Sequence, residues 1–204
     1  MSTEDICCGL RTGQKVPDFE LDTYEPSLAK FGKFKLSANM RKKKWTVLVF
    51  YPADFTFICP TELADVADRY DAIKKLQAEV LSVSTDTNFV HLAWQKDEKL
   101  LENVKYPMGA DPTGKVSKLF GIFNEDTGLD YRGTFIINPE GILVSSEVNF
   151  YNVGRSAKEL LRKLKGFVHV HSNPAEVCPA SWDEGEKTLQ PGEELVGKVY
   201  EALH

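Results

Sequence analysis

Two periodicities alternate along the chain. Thr46-Val47-Leu48-Val49-Phe50, continuing to Tyr51, is a β-branched and aromatic run that reads as a buried strand. After Leu63, the apolar residues Val66, Ala67, Tyr70, Ile73 and Leu76 fall at helical spacing. Val80 to Ser84 reads as a second strand, and Asp86 to Leu101 as a helix with Val90, Ala93, Trp94 and Leu101 on or near one face. Asp111-Pro112-Thr113-Gly114 is a turn leading into a short helix that ends at Phe120-Gly121. The strands Arg132–Ile137 and Ile142–Val148 flank Asn138-Pro139-Glu140-Gly141, a hairpin signal. Ser156-x-x-Glu159 is a capping box for a last helix with Leu160, Leu161, Leu164 and Val168 on its apolar side. The first forty residues read as irregular, with Phe19-Glu20-Leu21 as a candidate short strand.

The order strand, helix, strand, helix, strand, strand, helix predicts an α/β fold, a mixed central sheet with helices on both faces, and resembles the thioredoxin fold. A chain of 204 residues holds one well-buried domain plus an appendage. Beyond about residue 170 the character changes, with Asn173-Pro174, Cys178-Pro179, Pro191-Gly192 and several acidic residues. The expected division is a domain over 1–170 and an extended C-terminal arm over 171–204, the arm packing on a second copy of the chain.

Charge and composition narrow the function. A net charge of −5 argues against nucleic-acid binding, which draws its strength from phosphate neutralisation. Met1-Ser2-Thr3-Glu4-Asp5 has no basic region followed by an apolar one, and no segment approaches the length of a membrane span, so a cytoplasmic protein is expected. Arg41-Lys42-Lys43-Lys44 reads as a solvated turn ahead of the first buried strand, in preference to an anion patch. His91 has no second ligand at metal spacing and reads as a packed or partly exposed histidine. Four cysteines, Cys7, Cys8, Cys59 and Cys178, do not make a secreted disulfide framework. Adjacent Cys7 and Cys8 are too strained to bridge each other and read as unpaired thiols.

Cys59 lies where the first strand gives way to the first long helix. Free N–H groups and the dipole at a helix N-terminus favour a thiolate, the reactive form of cysteine. Thr56, one turn earlier, places a hydroxyl that can donate to the sulfur or to a bound oxygen substrate, and Pro52 can shield the thiol from water. The plain alternative is a buried, inert thiol. Glu62 stands where a Cys-x-x-Cys dithiol would have its second sulfur, so any second thiol comes from far along the chain, and Cys178 is the candidate.

The pattern Pro52-x-x-x-Thr56-x-x-Cys59 resembles the active-site signature of the peroxiredoxins, and Phe50 to Leu63 resembles the typical two-cysteine branch that includes the alkyl hydroperoxide reductase C proteins. Glu176-Val177-Cys178-Pro179-Ala180-Ser181-Trp182 resembles the segment carrying that branch's resolving cysteine. Tyr131-Arg132-Gly133-Thr134-Phe135-Ile136-Ile137 matches the segment with its active-site arginine. On this resemblance Arg132 favours the thiolate and holds a peroxide oxygen, and Glu62 fixes Arg132 by a charge-assisted hydrogen bond. A first-turn carboxylate also suits a helix N-terminus for structural reasons alone.

The resemblance implies a thiol peroxidase with no metal and no organic cofactor, acting on hydrogen peroxide and organic hydroperoxides. Cys59 would become a sulfenic acid and then form an intersubunit disulfide with Cys178. Local unwinding of the cysteine's turn would precede that step. A thioredoxin or a dedicated flavoprotein disulfide reductase would recycle it. The unit would be an antiparallel homodimer, with a decamer of five dimers as the larger form. Two features of oxidation-sensitive relatives are missing: no Gly-Gly-Leu-Gly insertion stands near Lys99-Leu100-Leu101-Glu102, and Tyr200 is followed by Glu201 in place of phenylalanine. Resistance to overoxidation is therefore expected. The competing readings are an oligomeric holdase chaperone and a one-cysteine peroxidase in which Cys178 is idle.

Overall fold

The computed structural model describes residues 9–204; Cys7 and Cys8 lie outside the described residues. Two compact units divide the chain after Ala157. The division falls one residue into the last long helix, earlier than the 170/171 boundary expected from the sequence, and that helix groups with the arm.

The first unit is built on a mixed sheet of seven strands, β1 (Glu20–Glu25), β2 (Lys30–Lys35), β3 (Trp45–Phe50), β4 (Ala78–Ser84), β5 (Met108–Ala110), β8 (Arg132–Ile137) and β9 (Leu143–Asn149), in the order β2-β1-β5-β4-β3-β8-β9. β4 runs parallel to both β3 and β5, and the other pairings are antiparallel. A two-stranded ribbon, β6 (Phe123–Asn124) and β7 (Leu129–Asp130), stands apart from it. Every residue of β3 and of β8 is buried, as both-face coverage requires. On one face Leu48, Phe50, Leu81, Val83, Phe135 and Ile137 share a core with Leu36 of α1 (Leu36–Arg41) and Val116 of α4 (Lys115–Leu119). Val47, Val49 and Val80 point to the opposite face by strand alternation, where α2 (Cys59–Lys75) lies along β4. The α/β class and mixed sheet match the expectation.

The amino-terminal part departs from it. Residues 20–35 form a full hairpin, closed by a short 3-10 turn at Pro26–Leu28 and a left-handed Ala29 (φ 48°). The expected helix over Asp86–Leu101 is α3 (Asn88–Asp97) followed by a separate 3-10 turn, Lys99–Leu101, because Glu98 takes an extended conformation.

In the second unit α5 (Ala157–Ser172) precedes the arm, which ends in α6 (Val199–Leu203). The arm folds back on α5 of its own chain. Glu176 accepts from His169 at 2.8 Å and from Thr188 at 2.6 Å, Arg162 donates to the Trp182 carbonyl at 2.8 Å, and Lys165 pairs with Asp183 at 3.0 Å. Among the described residues no helix is long and apolar enough to cross a membrane.

Candidate active site

The chain leaves the sheet at Tyr51, whose N–H still reaches the Val83 carbonyl at 3.0 Å. Residues 51–58 then cross to α2, with Pro52 buried. α2 opens at Cys59 with Pro60 beside it, where a missing N–H costs the helix nothing. The Ile58 carbonyl collects the N–H groups of Thr61 (3.0 Å) and Glu62 (3.2 Å) and the Thr61 hydroxyl (2.6 Å). Cys59 is fully buried.

The β3–β8 register sets Phe50 opposite Gly133, so Arg132 sits just beyond the end of β3, facing the start of α2. Its Nη1 is 3.5 Å from Cys59 Sγ and 2.6 Å from Glu62 Oε2, and its Nε donates to the Tyr151 carbonyl at 2.7 Å. The guanidinium is thus fixed from two sides while one nitrogen faces the sulfur. Glu62 is fastened as firmly. Its Oε1 accepts both the backbone N–H and the Nε of Arg155 at 2.8 Å, and its Oε2 accepts from Arg155 Nη2 at 3.1 Å. Burial pushes the Glu62 carboxyl up, but the hydrogen bonds and charge of Arg155, followed by the charge of Arg132, outweigh it and hold the group below its ordinary value. Two guanidinium groups against one carboxylate leave one net positive charge in a buried pocket beside the Cys59 sulfur.

Cys59, Glu62 and Arg132 are therefore brought into direct contact, with Pro52 and Thr56 in the segment leading to them. Thr56 Oγ1 donates to the Ala53 carbonyl at 2.8 Å and not to the sulfur, so its oxygen lone pairs remain for a bound substrate. Arg155 escaped sequence reasoning. Its signal is slight, a lone arginine after Gly154, whose missing side chain admits Ile58 Cγ2 to within 3.2 Å of the Cβ position and Glu62 Cγ to within 3.6 Å.

Cys178 lies in the second unit, half-buried in a groove of about 620 Å³ whose walls include Arg162, Phe167, Val170 and Trp182. Burial and the nearby Glu176 carboxylate push its thiol up, against the opposing charge of Arg162. Its Sγ points to the Gly166 carbonyl at 3.9 Å. Both described thiols are free.

His91 is fully buried, with both ring nitrogens engaged: Nδ1 at 2.8 Å from Asp54 Oδ2 and Nε2 at 3.1 Å from the Gly109 carbonyl. That excludes the exposed alternative and leaves no nitrogen for a metal.

Comparison with known proteins follows the same line. The AhpC/TSA family model matches residues 12–146. Alkyl hydroperoxide reductase C of Amphibacillus xylanus is 48% identical over 166 residues, covering 81% of this chain and 88% of that protein. Its counterpart in Staphylococcus saprophyticus is 43% identical over 186 residues, covering 91% and 97%. Among solved structures, AhpC of Enterococcus faecalis superposes with a TM-score of 0.77 at 41% identity, covering 82% of this chain and 98% of that one. The reduced 2-Cys peroxiredoxin of Plasmodium vivax gives 0.85 at 32% identity, covering 91% and 95%.

Proposed function

The chain belongs to the AhpC/TSA family, a peroxidase of the peroxiredoxin class with a thioredoxin-like fold, and from that premise we propose that it reduces hydroperoxides through Cys59 and Cys178 in turn. The carrying observation is the Cys59–Arg132 approach at 3.5 Å, with Arg132 itself held by Glu62 at 2.6 Å. The Cys59 thiolate attacks the terminal peroxide oxygen. A sulfur lone pair forms the S–O bond, the O–O bonding pair leaves on the distal oxygen, and that oxygen takes a proton and departs as water or alcohol. The charge moving onto the leaving oxygen is met by the Arg132 guanidinium, which Glu62 and the Tyr151 carbonyl hold in place before the reaction. Thr56 offers lone pairs to the peroxide O–H, and Pro52 limits water.

Cys178 of a second chain then attacks the Cys59 sulfenic acid. The S–S bond forms and the sulfenic oxygen leaves as water. Because Cys59 is fully buried, this step requires the first turn of α2 to unwind. A dithiol reductant, a thioredoxin or a dedicated flavoprotein disulfide reductase, takes up the oxidising equivalents and becomes a disulfide itself. The working unit is a homodimer, with a ring of five dimers as its larger form, and the setting is the cytosol, where free thiols persist.

The test is a non-reducing denaturing gel after one equivalent of hydrogen peroxide, run beside a peroxide-consumption assay. Wild type is expected to give a covalent dimer, and Cys59→Ser and Cys178→Ser none. Peroxide consumption without a dimer in the wild type would overturn the two-cysteine cycle in favour of a one-cysteine one. No consumption at all would overturn the peroxidase reading.

A further inference from the structure

A second buried polar cluster lies behind the Cys59 segment, and the chemistry above makes no use of it. Asp54, five positions before the cysteine, is the segment's main anchor. Its Oδ1 accepts from the Tyr51 hydroxyl at 2.7 Å, its Oδ2 meets His91 Nδ1 at 2.8 Å, and its backbone N–H donates to Asp86 Oδ2 at 2.8 Å. The next residue, Phe55, has φ +54°, a left-handed conformation that a bulky side chain adopts only when its surroundings impose it. Its ring rests against Trp94, three residues after His91 on α3, with centroids 6.2 Å apart. One face of α3 thus seats a strained segment.

Proton counting fixes what the seat requires. The Gly109 carbonyl only accepts, so His91 Nε2 carries a hydrogen. Nδ1 then faces a carboxylate oxygen at 2.8 Å with the side chains of both residues at 0% exposure. The bridge holds a proton whether the pair is imidazolium with carboxylate or imidazole with carboxylic acid, and both arrangements are neutral overall. Without that proton two lone pairs oppose each other and a buried carboxylate is left to the Tyr51 hydroxyl, with Asp86 adding like charge beside it. Burial, and the Asp54 charge after it, hold Tyr51 well above its ordinary value, so its hydroxyl stays a donor throughout. The charged or titratable groups facing the pair are thus Tyr51 and Asp86, with the Gly109 carbonyl closing the far side.

We propose that the proton shared by Asp54 and His91 is a latch that keeps residues 51–58, and with them the first turn of α2, wound so that Cys59 faces Arg132. His91 is then a positioning residue, acting through Asp54. The inference rests on the peroxidase reading for its meaning but not for its test. Releasing the latch has opposite effects on the two half-reactions: Cys59 spends less time beside Arg132, so attack on peroxide slows, while the unwound turn needed for the disulfide forms more readily.

Three proteins decide it: wild type, His91→Ala and Asp54→Asn. In the last, the amide N–H donates to a neutral His91 Nδ1 and the amide oxygen still accepts from Tyr51, so the bridge survives without a titratable proton. Amide hydrogen exchange of residues 52–62 in the reduced proteins, corrected for intrinsic rates, is followed from about pH 6 to about pH 9, upward from the ordinary imidazole range. Wild-type protection is expected to fall towards the alkaline end and that of Asp54→Asn to stay level. His91→Ala should be less protected at every pH by roughly tenfold to a hundredfold, the worth of a hydrogen bond to a charged group. Should His91→Ala not fold, the contrast between wild type and Asp54→Asn still decides. Parallel pH dependence in those two overturns the latch.

Single-turnover kinetics supply the second readout. In His91→Ala, if it folds, peroxide attack should slow and disulfide formation accelerate. If both rates fall together, His91 only supports the fold and the proposal is overturned. Failure of the wild type to consume peroxide would instead overturn the peroxidase reading, leaving the exchange result to judge the latch by itself.

Discussion

Glu62 and Arg132 meet at 2.6 Å with their side chains 3% and 4% exposed. An ion pair so buried is costly to break from one side, since the partner left behind keeps its desolvation penalty. Glu62→Gln strands both Arg132 and Arg155 without a carboxylate, and is expected to lose on the order of 3–5 kcal/mol of stability, measured by urea unfolding.

The same carboxylate gives an acid limb to the stability curve. Burial raises it, but Arg155 and Arg132 hold its folded value below the ordinary one. Its contribution is therefore complete above the ordinary carboxylate range and is lost as pH falls through the folded value. Urea midpoints measured down this range should drop in the wild type, and the drop should be shallower in Glu62→Gln.

Asp130 produces the opposite slope. Ser117 Oγ lies 2.9 Å from both Asp111 Oδ2 and Asp130 Oδ2, while the backbone N–H groups of Val116 and Ser117 also point at Asp111. One hydroxyl proton cannot serve two carboxylates. With Asp111 the anion that these two amides hold, Asp130 donates to Ser117 and is a neutral acid, pushed up to about 8 by burial first and by the charges of Asp111 and Asp86. A raised acid favours folding fully below its unfolded value, and the advantage drains away as pH climbs to the folded one. Between about pH 5 and pH 7 the wild type should lose roughly 1.4 kcal/mol per pH unit relative to Asp130→Asn, the slope easing towards pH 8, read from urea midpoints. Equal slopes would mean that Asp130 is ionised in the fold.

Gly133 follows Arg132 in its strand and is paired with both Phe50 and Val148. A Cβ there would stand 2.7 Å from the Phe135 ring and 3.2 Å from Ile122, in the aromatic core where Phe135 meets Phe50 and Phe120 at 5.7 and 4.7 Å. Gly133→Ala should cost about 1–3 kcal/mol of overpacking and slow peroxide attack by displacing Arg132, checked by thermal melts beside single-turnover rates.

In the proposed cycle, overoxidation of Cys59 competes with opening of its turn. Residues 99–101 form only a single 3-10 turn, and Tyr200 in the terminal helix is 72% exposed. On the proposed two-cysteine cycle, and with no inserted loop at residues 99–102, disulfide formation should outrun further oxidation of the sulfenic acid. Intact-mass spectra at modest peroxide excess should show little sulfinic acid.

How much of this could be read from the chain depends on how many segments each feature needs. The β3 strand, the Cys59 helix and the Arg132–Val148 hairpin carry continuous local signals. The Glu20–Lys35 hairpin does not: most of β2 is solvent-facing, so Lys30-Phe31-Gly32-Lys33 lacks the apolar run that marks a buried strand. Cys59, Arg132 and Glu62 were recognisable because each sits in a distinctive stretch. Arg155 and His91 draw their roles from partners 93 and 37 positions away, and no local pattern around either residue announces such a partner.

Pro60 bears on the energetics of turnover. Having no N–H, it leaves the cysteine's turn tied to Ile58 by the amides of Thr61 and Glu62 and by one hydroxyl. Opening that turn takes Cys59, Pro60 and Glu62 out of burial and loosens the Glu62 pairs with Arg132 and Arg155, so the motion draws on contacts that also hold the fold. Catalytic motion and global stability are therefore tied together in this chain, since a substitution that weakens the Glu62 pairs lowers both the free energy of unfolding and the cost of opening the cysteine's turn.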